Sequence, residues 1–314
     1  MPSKYFIEGS TLTDMADAVR GLTGSSSAFT PAQMISEINN YTPGGGGDVI
    51  MPFQYQSDDS LVSFSSNAVC VLNSAFAGCW QMTNLDLPEC LYMGTTALFA
   101  CNALEYISIP KCQFIDNGCA TMLGSISALS LPACSYIGGS AFMQCWSLTT
   151  LYAPECLIML ADAFCQTVLL SSVNLSKCSW IGARAFSYCS QLTFVDLPEC
   201  MSIMESVFVS CTRLASVSLP KCAYLGASAF YNCTSLSTIS LPNCSYIGDY
   251  TFKSCTSLQD AYIGMSYSKV CRLAGNNVFS NCTSLSRIYV PSSLLTSYKT
   301  SYYWSALSNK IYGI

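Results

Sequence analysis

Short runs in which apolar and polar residues alternate recur along most of this chain. Val195 and Leu197, like Ile239 and Leu241, lie two apart with a polar residue between them, the spacing of a strand that buries one face. Proline at 88, 110, 132, 154, 198, 220 and 242 ends these runs, because it cannot donate to a ladder. The clearest unit continues from Leu241-Pro242 through Cys244, Ile247-Gly248, Thr251-Phe252 and Cys255 to Leu258. Laid against itself, the pattern repeats every 22 residues, at Cys90, Cys112, Cys134, Cys156, Cys178, Cys200, Cys222 and Cys244. A second cysteine column runs half a period out of phase, at 79, 101, 145, 189, 211, 233 and 255, with Leu123 and Thr167 at its two gaps. Cys271 and Cys282 continue the two columns if five residues are inserted ahead of them, and Cys70, Cys119 and Cys165 fall outside both. A fixed period of this length predicts a β-rich solenoid, with strands stacked into one parallel sheet face and roughly eight side chains per coil turned into a shared core.

Three further columns fall on the outside of such a coil. The residue before each first-column cysteine reads Glu89, Lys111, Ala133, Glu155, Lys177, Glu199, Lys221 and Asn243, which predicts a ladder of ion pairs along one edge. Two residues after those cysteines come Tyr92, Phe114, Tyr136, Ile158, Trp180, Ser202, Tyr224 and Tyr246. Period-two spacing places this aromatic column outward, where Tyr92, Tyr136, Trp180, Tyr224 and Tyr246 either recognise a ligand or shield the coil edges. On the strand face, Tyr106, Tyr152, Asn174, Phe194, Asp196 and Tyr262 stand among small hydroxyl residues. Solenoids bind through such extended faces, and hydroxyls mixed with rings suit a glycan or an uncharged protein surface.

Composition narrows the chemistry. The chain is 51% hydrophobic and 10% charged, with a net charge of −5, so it offers no basic stripe for nucleic acid. No apolar run approaches the length that inserts in a membrane, and the first ten residues lack the apolar core of a secretory leader. Histidine is absent, which removes Ser-His-Asp and Cys-His catalysis within the chain. Asp86 and Asp196 share a face but lie five coils apart, roughly 24 Å by strand spacing and too far to act as a pair. No two cysteines lie close enough for a zinc site, and thiols stacked in register point in parallel, so buried free cysteines are expected rather than disulfides, metal or any cofactor. The expected class is non-enzymatic.

Four segments follow. Residues 1–42 read as a helical hairpin: Leu12, Met15, Val19 and Leu22 form one apolar face, and Thr30-Pro31 opens a second helix carrying Met34, Ile35 and Ile38. Two short helices bury little, so this unit implies an anchor partner or self-association into a homo-oligomer. Residues 43–49, with Gly44 to Gly47, form a linker, 50–288 the solenoid and 289–314 a terminal cap.

The unit Leu-x-x-Leu-x-Leu-Pro-x-Cys-x-x-Ile-Gly-x-x-Ala-Phe-x-x-Cys-x-x-Leu resembles the BspA-type leucine-rich repeat of bacterial and protist surface proteins, over about residues 60–290. The resemblance implies a right-handed leucine-rich repeat solenoid. Cys119-Ala120 in place of Ala-Phe, Leu98 in place of Phe, and a five-residue insertion between Ile263 and Cys271 depart from the pattern and predict local bulges. The string Thr11-Leu12-Thr13-Asp14-Met15, followed by Thr30-Pro31-Ala32-Gln33-Met34, is similar to a segment of tail-associated proteins from phages of Firmicutes. Together these imply a phage tail receptor-binding protein in the virion, with residues 1–42 held by tail components and the solenoid recognising a host-surface glycan or protein. The alternative is a cell-surface or secreted leucine-rich repeat adhesin.

Overall fold

A computed structural model describes residues 49–50, 54–266 and 268–314. The helical anchor and nearly all of the linker inferred above lie outside the described residues. The rest is a parallel β-solenoid whose coils pair along two sides. The predicted strands appear as three- or four-residue segments such as Tyr106–Ser108, Thr150–Tyr152 and Phe194–Asp196, stacked in register at 22-residue steps. Their ladder is interrupted between Ser108 and Ala128 and again between Asn174 and Phe194, giving sheets of three, three and six strands. A second, unbroken sheet of eleven two-residue strands runs from Val49–Ile50 to Arg272–Leu273, a pairing that the alternation of one strand per coil did not reveal.

The side opposite the short strands has no strand, yet its coils are also bonded to one another. The Phe186 N–H donates to the Val207 carbonyl and the Phe208 N–H to Ala229, with matching bonds two residues before and after. Two residues per coil sit in the left-handed region here, such as Ser206 (φ 60°) and Ser210 (φ 58°), so that alternate amides face the next coil. Serine is the commonest residue at these corners, a short polar side chain that can bond to the nearby backbone.

Apolar residues fill the interior in files. Phe142, Phe164, Phe186, Phe208, Phe230, Phe252 and Phe279 form a continuous ring stack, with centroids 5.3–5.7 Å apart. All twenty cysteines are buried and free. Each column has its own hydrogen bond. First-column thiols donate to the carbonyl two residues ahead, as Cys222 does to Tyr224 at 3.3 Å. Second-column thiols donate to the carbonyl at the phenylalanine position of the preceding coil, as Cys233 does to Phe208 at 3.1 Å, even where that position holds Tyr55 or Ala120. A cysteine thus fits where a compact apolar group must also satisfy a carbonyl.

That bond explains one of the gaps. The Thr167 hydroxyl donates to the Phe142 carbonyl at 3.2 Å, the same bond from the same position, while Leu123 fills its gap with carbon alone. Thr167→Cys is therefore expected to be close to neutral. Thr167→Val, which keeps the shape but leaves the buried carbonyl unpaired, is expected to cost about 1–3 kcal/mol in a denaturant melt. The stray cysteines also find places. Cys119 sits at the Ala position of Ala-Phe, Cys165 just after the phenylalanine position, and Cys70 on the outward column of the long sheet, in register with Tyr92.

The predicted bulge at Cys119-Ala120 does not form. The Gly118, Ala120 and Met122 amides donate to Gly139, Ala141 and Met143 in the regular pattern, so Leu98 and Ala120 only interrupt the ring stack. The insertion also differs from expectation. Asp260 pairs with Arg287, a step of 27, but Tyr246 pairs with Arg272, a step of 26. Four of the five extra residues therefore enter before Arg272 and the fifth after Leu273. Cys271 is shifted one place in backbone register, although its thiol still meets Cys244, and Cys282 keeps the column bond, to Phe252 at 2.9 Å.

The C-terminal segment closes the end of the core. Leu295–Thr300 is a short helix whose buried Tyr298 accepts a hydrogen bond from the Cys271 amide, and the Trp304 indole donates to the Cys271 carbonyl. Ile311–Gly313 then adds a last parallel strand beside Arg287–Val290.

Candidate binding surface

The eleven candidate residues divide between the two sheets. Tyr106, Tyr152, Asn174, Phe194, Asp196 and Tyr262 stand on the outer face of the short strands; Tyr92, Tyr136, Trp180, Tyr224 and Tyr246 form one column on the long sheet.

On the short-strand face the pleat turns Ile107, Leu151 and Val195 inward and leaves their neighbours in solvent. Tyr106, Tyr152 and Phe194 are each about half exposed. Tyr152 and Asn174 are direct neighbours across the ladder, and the Asn174 side-chain oxygen (Oδ1) accepts from the Ser176 amide and hydroxyl. Phe194 and Asp196 bracket the next segment, beside Ser216 and Ser218. Tyr106 lies further back beside Asn84, and Tyr262 belongs to the far end. The six are spread along the rod rather than gathered in one pocket.

At that far end the structure adds residues the sequence reading had assigned only to the cap. Tyr262, Tyr289 and Tyr312 are in register on three consecutive strands, with ring centroids 4.7 and 6.3 Å apart. Beside them the Arg287 guanidinium grips Asp260 through two hydrogen bonds of 2.7 and 3.0 Å and lies 5.9 Å from the Tyr289 ring. Part of the signal was available: Tyr262 and Tyr289 are one coil apart once the insertion is allowed for, whereas Tyr312 follows across the cap at a step of 23.

The long-sheet column is less accessible than its outward parity suggests. Tyr136, Trp180, Tyr224 and Tyr246 are half-buried, and Tyr92 is 1% exposed, which corrects its placement on an open surface. Its hydroxyl donates to Asp116, which also accepts from Thr95 and the Asn117 amide. Burial first, and the Asp116 carboxylate second, push the Tyr92 phenol well above its ordinary range. Burial likewise raises Tyr136, to about 12. A two-coil rhythm underlies this column. Rings at 92, 136, 180 and 224 are followed two residues on by Gly94, Gly138, Gly182 and Gly226, while Phe114, Ile158 and Ser202 are followed by Asp116, Leu160 and Met204, until Tyr246 with Gly248 ends the alternation. A Cβ on Gly226 would lie 2.5 Å from the backbone of Glu205, so these glycines let alternate coils close up tightly.

The edge charges pair as discrete couples, not as a continuous ladder. Lys111–Glu89, Lys177–Glu155 and Lys221–Glu199 each close at 2.6 Å. Lys177 has no ion pair to Glu199 on its other side among the described residues. All are about half exposed, so removing one, as in Lys221→Met, is expected to shift stability by less than about 1 kcal/mol in a urea melt. Among the described residues no group of three or more His, Cys, Asp or Glu could hold a metal ion, and no helix is long and apolar enough to cross a membrane.

The decisive comparison is with the family model for the BspA type leucine rich repeat region, present in 6 copies, which matches residues 53–164, 113–223 and 179–309. The chain belongs to the BspA-type leucine-rich repeat family. Similar solved structures include a leucine-rich repeat protein from Bacteroides ovatus (20% identity over 85% of this chain and 87% of that one, TM-score 0.37). Others are a leucine rich cell surface protein from Faecalibacterium prausnitzii (20%, 80% and 82%, TM-score 0.39) and the pneumococcal vaccine antigen PcpA (15%, 79% and 72%, TM-score 0.49). No curated protein matches the chain. In this BspA-type chain the inward positions repeat from coil to coil, and Tyr106, Tyr152 and Phe194 stand exposed on the outer face of the short strands.

Proposed function

We propose that this protein is a non-catalytic binding protein of the bacterial cell surface or of the secreted fraction, and that it holds a glycan or protein partner on the short-strand face. The observation that carries this reading is the row of Tyr106, Tyr152 and Phe194, three large rings left half in water on the outer face of the short strands. Rings contribute most of the contact energy in an interface, and the surrounding Ser, Thr and Asn side chains supply uncharged hydrogen-bonding groups. Membership of the BspA family favours this setting over the phage tail. The tail-like strings fall in residues 11–34, outside the described residues, so the virion setting rests on sequence likeness alone.

The test applies the full chain to a glycan array and to whole bacterial and host cells. Tyr152→Ala with Phe194→Ala is expected to weaken binding by about tenfold or more, with the thermal midpoint unchanged. Equal binding by the double variant would overturn the assignment of this face. Mass spectrometry of purified virions decides the setting: the polypeptide in virions would favour the tail, and its presence on cells free of phage the surface protein.

A further inference from the structure

Charge is unevenly distributed along the chain. Residues 206–314 carry eight of the thirteen Lys and Arg but only two of the eighteen Asp and Glu, a local net of +6 in a chain whose total is −5. Both carboxylates there are engaged. Asp260 is clamped by Arg287, and Asp249 accepts from the Tyr250 and Asn277 amides and the Asn277 side chain. By contrast Lys253, Lys269, Arg272 and Lys299 form no ion pair among the described residues.

Arg272 is the best placed of these cations. It is exposed, it ends the outward column of the long sheet, and its guanidinium lies 6.0 Å from the Tyr246 ring, itself stacked on Tyr224 at 5.0 Å. It also lines an open cavity of about 420 Å³ between the insertion and the cap, with Val270, Ser301, Tyr302, Tyr303 and Trp304 on the other walls. Tyr302 is 81% exposed at the rim, while Trp304 forms the buried floor. A guanidinium offers forked donors to phosphate or carboxylate oxygens, and flanking rings receive the face of a sugar.

We infer that this C-terminal cavity binds an anionic saccharide or polyol chain, its phosphate or carboxylate held by Arg272 and its body laid against Tyr302 and Tyr303. This site lies on a different sheet from the face proposed above, so either can fail without the other. The occupant is argued from charge: a basic, aromatic cavity on an otherwise acidic rod complements an anion and disfavours the rest of the same chain.

The full chain is titrated by calorimetry with poly(glycerol phosphate), polygalacturonate and uncharged dextran. Binding of one or both anionic polymers, and not of dextran, is expected, and the preferred polymer distinguishes phosphate from carboxylate. Affinity is expected to fall about three- to fourfold between roughly 50 and 200 mM salt, the change for one anionic contact. Arg272→Ala and Tyr302→Ala are each expected to weaken binding about tenfold. Tyr152→Ala is expected to leave it unchanged. Equal binding of dextran, an Arg272→Ala variant that folds and binds normally, or no binding of either anion would overturn the inference. End-to-end association of copies, seen as concentration-dependent sedimentation that Arg272→Ala abolishes, would assign the cavity to a second copy and overturn it as well.

Discussion

Raising the pH from about 9 to about 11 is expected to unfold this protein cooperatively, because its core is built from thiols that are acids only when wet. Burial pushes Cys101, Cys134 and Cys145 up to about 12, and Cys165 and Cys282 up to about 11. It carries Cys112, Cys189 and Cys233 well above the ordinary thiol range too. In the unfolded chain each thiol titrates near 8.5. The folded state therefore binds these protons more tightly. The resulting stability is fully present below about pH 8.5 and is lost as pH rises toward the folded values. Each thiol contributes a slope of about 1.4 kcal/mol per pH unit. Eight acting together remove about 11 kcal/mol per unit, as much as the whole stability of a typical domain. Far-ultraviolet circular dichroism and the rate of thiol alkylation are expected to change together in one steep step. Thiolate appearing gradually from about pH 8.5, with the fold intact to about pH 11, would show the thiols to be wet.

The second large effect is expected from Phe208→Ala. Phe208 is fully buried, stacked between Phe186 at 5.7 Å and Phe230 at 5.3 Å, and neither neighbour can move without breaking its own coil's register. Truncation leaves a cavity that strict coil stacking cannot collapse, at a cost of about 3–5 kcal/mol. Phe208→Leu is expected to cost far less, because Leu98 already occupies the same file. Denaturant melts of the two variants measure the difference. A Phe208→Ala loss below about 1 kcal/mol would mean that the stack adds little beyond the strands.

What the sequence disclosed followed from strict periodicity. Inward positions repeat because each coil must match both neighbours, so the core files, the thiol columns and the strand face could be read at 22-residue steps. Less was legible where meaning depends on a neighbour across the coil. The eleven-stranded sheet uses only two residues per coil, too few for an alternating pattern to stand out. Thr167 read as a gap until its hydroxyl was seen to replace a thiol. Tyr92 carried outward parity, yet Asp116 on the next coil draws its hydroxyl down and the pair is buried. Tyr289 extends the row from Tyr262, but the five-residue insertion hid its register, and Tyr312 joins only across the cap at a step of 23. The candidate surface was legible as a face and not as a site, because exposure marks where a partner can rest without specifying its identity.

The central proposition is that every coil is locked to the next around a dry interior. The most direct measurement counts thiols reacting with an aromatic disulfide reagent at neutral pH, with and without denaturant. None of the twenty is expected to react with the native protein faster than global unfolding allows, and all twenty to react once it is unfolded. Several thiols labelled rapidly in the native state, with the fold unchanged, would contradict it.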